Sequence, residues 1–268
     1  MGAQRRAPRP RGSRPDGQHF LRSARLAAEL VDQAGVGAHD LVVEIGAGAG
    51  RLTAPLADRA HHVIAIELDR GCVEHLRAAF AGRANVEIVH ANALAAPLPG
   101  ASYRVFGNLP FSFGTRILRR LLDEPASALE GLDALVQVDV ARKRAAVWPN
   151  TLVSLGWQPW WELSFVRRIP RRAFDPVPGV DAGVLRVRRR DEPLLPPASR
   201  AAFMRFVGSG FARSDRPVGG AFRSDVPAAV WRRLAQERGL PADARAPELD
   251  VFDWVALFAA RRPERRRR

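Results

Sequence analysis

"LVVEIGAGAG", residues 41–50, decides the fold. Leu41, Val42, Val43 and Ile45 make a short apolar run that ends on glycines at alternate positions, Gly46, Gly48 and Gly50. A run of this length, rich in β-branched residues and stopped by glycine, predicts a buried strand entering a turn. Working outward, "RLTAPLADRA" (51–60) predicts a helix and "HVIAIE" (62–67) a second continuous apolar strand. "RGCVEHLRAAF" (70–80) then predicts a helix and "VEIVHA" (86–91) a third strand. Strands without polar alternation need cover on both faces, so this order predicts parallel pairing in a three-layer α/β core. On the other side, Leu26, Ala27, Leu30 and Val31 recur at helical spacing over 23–34.

"ALVQVDV" (134–140), "LSFVRRI" (163–169) and "GVLRVRR" (183–189) supply later strands. The last two alternate in polarity, which places them at an antiparallel edge of the sheet. "DEPLLPPASR" (191–200) breaks the pattern. Beyond it Phe203, Phe206, Val207, Phe211, Val230, Trp231, Leu234, Trp254, Val255, Leu257 and Phe258 recur at helical spacings. The expected organisation is a main α/β domain over 17–190 and a small helical domain over 191–262 with an aromatic core. Residues 1–16, with five arginines among Pro and Gly, are expected to form a disordered basic arm, and 263–268 a basic tail.

A chain of 268 residues with 47% hydrophobic content can bury a real core. No apolar stretch approaches the roughly 20 residues needed to cross a bilayer, and no apolar run follows the N-terminal arginines as a secretory signal would require. Cys72 is the only cysteine. That excludes an internal disulfide and a cysteine-rich zinc site, and it fits a reducing cytoplasm. His61, His62, His75 and His90 are scattered without carboxylates at ligand spacing, so they predict structural roles and no metal site. The net charge of +14 favours a polyanionic partner, nucleic acid first. Lys143 is the only lysine, so arginine carries nearly all of the positive charge. Codon bias accounts for arginine over lysine but not for the excess of cations over anions.

The glycine turn points to a nucleotide-like ligand, because glycines let backbone approach a ligand at the carboxyl end of a strand. A dinucleotide site prefers G-x-G-x-x-G. Here the third glycine falls one place early. Glu44, just before the turn, would repel a pyrophosphate and suits a cationic or amino-bearing ligand. Glu67 closes the second strand about twenty residues later, where an acid binds ribose hydroxyls. This set resembles the first two motifs of S-adenosylmethionine-dependent methyltransferases, with a nicotinamide-dependent oxidoreductase as the alternative.

"YRVFGNLPFSFGT" (103–115) separates the two. Pro110 cannot continue the strand of Val105 and Phe106, and a helix-like stretch resumes over 116–122. Asn108 offers a side-chain oxygen, Leu109 a backbone carbonyl and Phe111 a ring face. An exocyclic amine on a base is a poor nucleophile, since its lone pair is delocalised into the ring. Acceptors aimed at its hydrogens, with a ring to stack the base, favour its rehybridisation by positioning and electrostatics alone.

With "GQHFL" (17–21), "EIGAGAG" (44–50), "IELD" (66–69), "GNLPF" (107–111) and "FDPVPGVDAGVL" (174–185) in that order, the chain resembles the Erm family of rRNA adenine-N6 methyltransferases. The resemblance covers about 17–190, and the helical tail only through "FDWVALF" (252–258). It implies a Rossmann-like class I S-adenosylmethionine methyltransferase sheet with a small C-terminal helical domain, acting on one adenine of naked or pre-assembly 23S rRNA as a monomer. It also implies macrolide, lincosamide and streptogramin B resistance. Carried over, it makes His19, Leu21 and Gly48 cofactor contacts, puts Gly46 under the methionine part, Glu67 at the ribose and Asn92 beside the cofactor adenine. Asn108 would touch both cofactor and target amine, Leu109 would offer its carbonyl, and Phe111 and Phe174 would stack on or enclose the target adenine.

Three positions depart from the family pattern. His19 stands where Asn is usual and Asn92 where Asp is usual; Phe111 stands where many members have Tyr. The Asn92 oxygen is expected to accept from the cofactor adenine. The KsgA-type small-subunit (16S) enzymes share the first four motifs, but 211–225 lacks their "RRKTL"-like segment. They stay open as an alternative, with a DNA adenine methyltransferase and a non-catalytic RNA-binding relative. Trp148, Trp157, Trp160 and Trp161 are expected to pack the sheet edge, with one available to stack on RNA.

Overall fold

The computed structural model describes residues 18–261, so the arm expected over 1–16 and the tail over 263–268 lie outside the described residues. In chain order the elements are β1 (Phe20–Leu21), α1 (Ala24–Ala34), β2 (Leu41–Ile45), α2 (Thr53–Ala57), β3 (His62–Glu67), α3 (Arg70–Ala79), β4 (Val86–His90), β5 (Tyr103–Asn108), α4 (Gly114–Leu122) and β6 (Leu129–Gln137). They continue with α5 (Val138–Ala145), α6 (Leu152–Leu155), β7 (Trp161–Ile169), β8 (Phe174–Asp175) and β9 (Ala182–Arg189). Last come α7 (Arg200–Phe211), α8 (Val218–Ala221), α9 (Ala228–Glu237) and α10 (Val251–Ala259).

Seven strands form one mixed sheet in the order β4-β3-β2-β5-β6-β9-β7, while β1 pairs only with β8. Neighbours from β4 to β6 run parallel, as continuous apolar strands demand. Val42 and Val63 are fully buried and meet Ala27, Leu30 and Val31 of α1 and Leu56 of α2. Ala65 meets Leu76 of α3 in a separate cluster. Local chemistry sets the helix ends. The Ser23 hydroxyl accepts from the Leu26 amide, and Gly35, in the left-handed region at φ 65°, ends α1. Arg104 of β5 donates to the carbonyls of Ala34 and Gly35 and to Asp40, tying that end to the sheet. One strand stops earlier than its sequence suggests. β6 ends at Gln137, and the Val138 amide turns to the carbonyl of Asp181 as α5 begins.

Packing divides the chain into two compact units whose boundary is not at 190. Among the described residues, the first holds 18–120, Ala128–Val138 and Arg167–Val184; the second holds Leu121–Ser127, Asp139–Val166 and 185–261. Tryptophans explain the difference. The Trp160 indole donates to the carbonyl of Leu195, and its ring meets Phe203 edge-on at 6.5 Å. The Trp157 indole donates to Asp123, which also pairs with Arg200. Both rings therefore join the core of the helical unit, where Phe206, Phe222, Trp254 and Phe258 cluster. Trp148 is 63% exposed.

At the centre of the first unit β2 and β5 lie side by side, with Ile45 opposite Gly107. A Cβ at Gly107 would sit 2.6 Å from the carbonyl oxygen of Ile45, so only glycine fits there. Gly107→Ala should therefore destabilise the protein by about 1–3 kcal/mol, the usual range for overpacking. Gly100→Ala, where a Cβ meets nothing within 4 Å, should be nearly silent. Denaturant unfolding of both variants checks the difference.

Candidate active site

The strand ends of β2, β3, β4 and β5 open onto one cleft of about 340 Å³, within the size range of small-molecule sites. Its wall includes Gln18, His19 and Phe20, then Ile45 and Gly46, then Glu67, Leu68 and Asp69. Asn92 and Leu94 follow, then Asn108, Leu109, Pro110 and Phe111, with Phe113 and Ile117 beyond.

Gly46 adopts φ 75°, a conformation that L side chains rarely take, and its amide donates to the carbonyl of Ile66 on the neighbouring strand. Gly48 is also left-handed, and a Cβ there would strike the Phe20 ring at 2.6 Å. The turn is held by Glu67, which is only 4% exposed. One of its carboxylate oxygens accepts from the Gly48 amide; the other accepts from the amides of Leu68 and Asp69, all at 2.8 Å. Glu67 thus joins the glycine turn after β2 to the start of α3, where the Asp69 carboxylate caps the helix by accepting from the Cys72 amide. The loop after β4 is secured from the other side, since Arg120 of α4 donates to the carbonyls of Ala93 and Ala96.

Asn108 ends β5. The Leu109 amide still reaches the Leu135 carbonyl at 3.0 Å, and Pro110 then stops the ladder. A turn from the Phe113 amide to the Pro110 carbonyl leads into α4. Leu109 is 2% exposed, so its side chain anchors the corner. Phe111 is half-buried and its ring lies 5.6 Å from that of His19. Phe113, 44% exposed, was not singled out by sequence, and nor were Phe20 and Leu68.

His19, Gly46, Glu67, Asn92, Asn108, Leu109 and Phe111 thus come together on this wall. Leu21, Gly48 and Phe174 do not line it. Gly48 sits behind the Phe20 ring, while Leu21 and Phe174 are buried opposite one another in the β1–β8 pair. The period-two alternation of an extended segment is the signal that would have chosen Phe20 over Leu21. Asn92 lines the cleft and also has a local role. Its side-chain oxygen already accepts from the Leu94 amide at 2.9 Å, capping the turn that follows.

Glu44 carries no charge toward this cleft. Its side chain is fully buried, does not line the wall, and neither oxygen has a hydrogen-bond partner. Burial pushes its carboxyl up to about 8; the neighbouring hydroxyl and amide of Thr53 pull it down in part, although neither completes a hydrogen bond of good geometry, and the nearby Glu67 charge adds to the rise. At neutral pH the Glu44 side chain is therefore mostly protonated, and the repulsion of a pyrophosphate expected from it does not arise. Among the described residues no group of three or more metal-ligating side chains occurs.

A mixed sheet whose parallel strand ends carry a left-handed glycine turn, an acid closing the next strand and an Asn-Leu-Pro corner defines a class I methyltransferase-like protein. The chain belongs to the ribosomal RNA adenine dimethylase family, whose model matches residues 11–260. It is 35% identical over 212 residues to an rRNA adenine N-6-methyltransferase of Corynebacterium diphtheriae, covering 79% of this chain and 82% of the relative. It is 33% identical over 245 residues to the mycinamicin-resistance protein MyrB of Micromonospora griseorubida, covering 90% and 76% respectively. Among solved structures, the 23S rRNA methyltransferase ErmE superposes with a TM-score of 0.81 at 29% identity, covering 90% of this chain and 98% of ErmE.

The buried acid makes a prediction about pH. Because the folded-state pKa of Glu44 lies above its ordinary 4.5, the folded chain holds an extra proton between about 4.5 and 8. Stability is therefore lost as pH rises through that window. Glu44→Gln cannot titrate, so its stability relative to the parent should climb from pH 4.5 to 8, by up to about 5 kcal/mol at about 1.4 kcal/mol per unit. Denaturant midpoints measured across that range check the slope.

Proposed function

We propose that this protein transfers a methyl group from S-adenosylmethionine to N6 of one adenine in 23S ribosomal RNA, giving resistance to macrolides, lincosamides and streptogramin B. The observation that carries this is the meeting of Gly46, Glu67 and Asn108 on one cleft. The groups present fit the cofactor. Gly46 leaves backbone open to close approach, Glu67 presents a carboxylate suited to ribose hydroxyls, and Ile45, Ile66 and Leu68 offer apolar surface for a purine. Asn92 borders the same space as a further polar contact. Bound there, S-adenosylmethionine supplies an activated methyl group.

The chain's own residues prepare the acceptor. The Asn108 side-chain oxygen and the Leu109 carbonyl accept from the two hydrogens of the adenine N6, which draws the amine out of conjugation and holds its lone pair in line. Phe111 stacks on the base once it is swung out of its RNA fold. The excess cations, +14 over the whole chain, meet the phosphates outside the cleft. A methylated N6 has lost hydrogen-bond donors and gained bulk, which is how such a change would block a drug that reads that adenine. The relation to MyrB and ErmE supports the large subunit as the target. Naked rRNA in the cytoplasm, met by a monomer, completes the proposal.

The test is transfer of labelled methyl from S-adenosylmethionine to purified, protein-free 23S and 16S rRNA, with the modified nucleotide mapped. Label at one adenine of 23S rRNA is expected. Label confined to 16S rRNA would instead assign the small-subunit activity, and none on either would leave an RNA-binding relative without chemistry.

A further inference from the structure

The Asn108 side-chain nitrogen donates to the backbone carbonyl of His19 at 2.5 Å. A carbonyl can only accept, so this contact settles which end of the amide is which: nitrogen toward His19, oxygen away from it. His19 is itself pinned. Its ring Nδ1 lies 2.9 Å from the carbonyl oxygen of Pro176, again a pure acceptor, so Nδ1 carries the proton and Nε2 is bare in the neutral ring. The next two residues pair antiparallel with β8, Phe20 opposite Asp175 and Leu21 opposite Phe174. Arg22 closes the join. Its amide donates to the Ala173 carbonyl at 2.9 Å and its Nε to the Phe174 carbonyl at 2.8 Å, while its guanidinium lies 3.5 Å from Asp175.

We propose that this clasp, residues 19–22 against 173–176, is a positioning device for methyl transfer, and that His19 is its key positioning residue. The idea rests on the function proposed above. Without the His19 carbonyl, the Asn108 amide can turn about its last bond and present its NH2 end, which repels the N–H bonds of the target amine. With it, the oxygen stays toward the amine. The segment around Phe174 then contributes without touching the base, in keeping with a ring that is fully buried.

Three variants separate this role from simple cofactor contact. His19→Phe keeps a ring beside Phe111 and loses the Nδ1 donor. His19→Asn keeps a donor for the Pro176 carbonyl. Arg22→Ala loosens the clasp from outside the cleft wall. Single-turnover transfer is measured at saturating cofactor and RNA, and cofactor affinity separately by calorimetry. His19→Phe and Arg22→Ala should slow the saturated rate by about tenfold or more, as small misplacements of a reacting group do, with cofactor Kd nearly unchanged. His19→Asn should recover most of the rate lost in His19→Phe. A saturated rate equal to the parent's in His19→Phe, with weakened cofactor binding instead, overturns the proposal and makes His19 a cofactor contact only. If these variants fail to fold, the 15N spectrum of the parent's imidazoles at alkaline pH decides. A His19 ring protonated on Nδ1 supports the clasp, and one protonated on Nε2 overturns it. A parent protein that methylates no rRNA defeats the proposed function itself, whereas an active parent with an insensitive His19→Phe defeats only this inference.

Discussion

The site depends on one constraint, that β2 and β5 are parallel neighbours although β3 and β4 intervene in sequence. The chain leaves β2 to build one side of the sheet, then crosses back to lay β5 along the other edge of β2. Strand ends on either side of such a switch diverge and leave a crevice. Here the divergence separates a glycine turn from an Asn-Leu-Pro-Phe corner, two features with no reason to be close in sequence. The two backbones lie in contact, since a Cβ at Gly46 would meet the Asn108 carbonyl oxygen at 3.5 Å, an ordinary van der Waals distance.

Polarity is divided in a way that suits the proposed chemistry. The side chains of Glu67 and Asn108 bring acceptor oxygens to the wall of the cleft, which the proposed function fits to hydroxyls and to an amine. Glu67 remains in place because three backbone amides hold it, and Glu44 adds little charge because it is buried without a partner. The cationic excess belongs to the chain as a whole, where it can engage phosphate by long-range attraction. Under the proposed function, attraction of the polymer and recognition of one amine thus fall to different residues.

What sequence could reveal follows from the range of the interactions. Strands β2 and β3 span the runs expected of them, because a strand covered on both faces is almost wholly apolar, with Glu44 of β2 the one buried acid in the interior of either strand. The glycine turn and the proline corner were legible because each depends on local backbone angles. The pairing of Leu21 with Phe174 was not, since two-residue strands joined across about 150 positions leave no periodicity. For the same reason Leu21 and Phe174 look like site residues in the sequence and sit in the core of the fold. Trp157 and Trp160 follow this rule as well. Their partners, Asp123 and Leu195, are remote in sequence, so the unit they belong to appears only in three dimensions. Asn92 lines the cleft as its position suggests, and its capping bond to Leu94 is a local contact that the residue pattern alone does not show.

The central claim is that the corner at Asn108 acts on the amine during transfer and not merely on the shape of the strand end. Single-turnover methyl transfer to a short 23S rRNA hairpin, compared between the parent and Asn108→Ala with RNA affinity measured separately, tests it most directly. Loss of a preorganised contact that matters chiefly in the transition state should lower the rate by roughly 10²–10³ while RNA affinity changes little. A near-normal rate in Asn108→Ala would contradict the account, and the corner would then be no more than a turn.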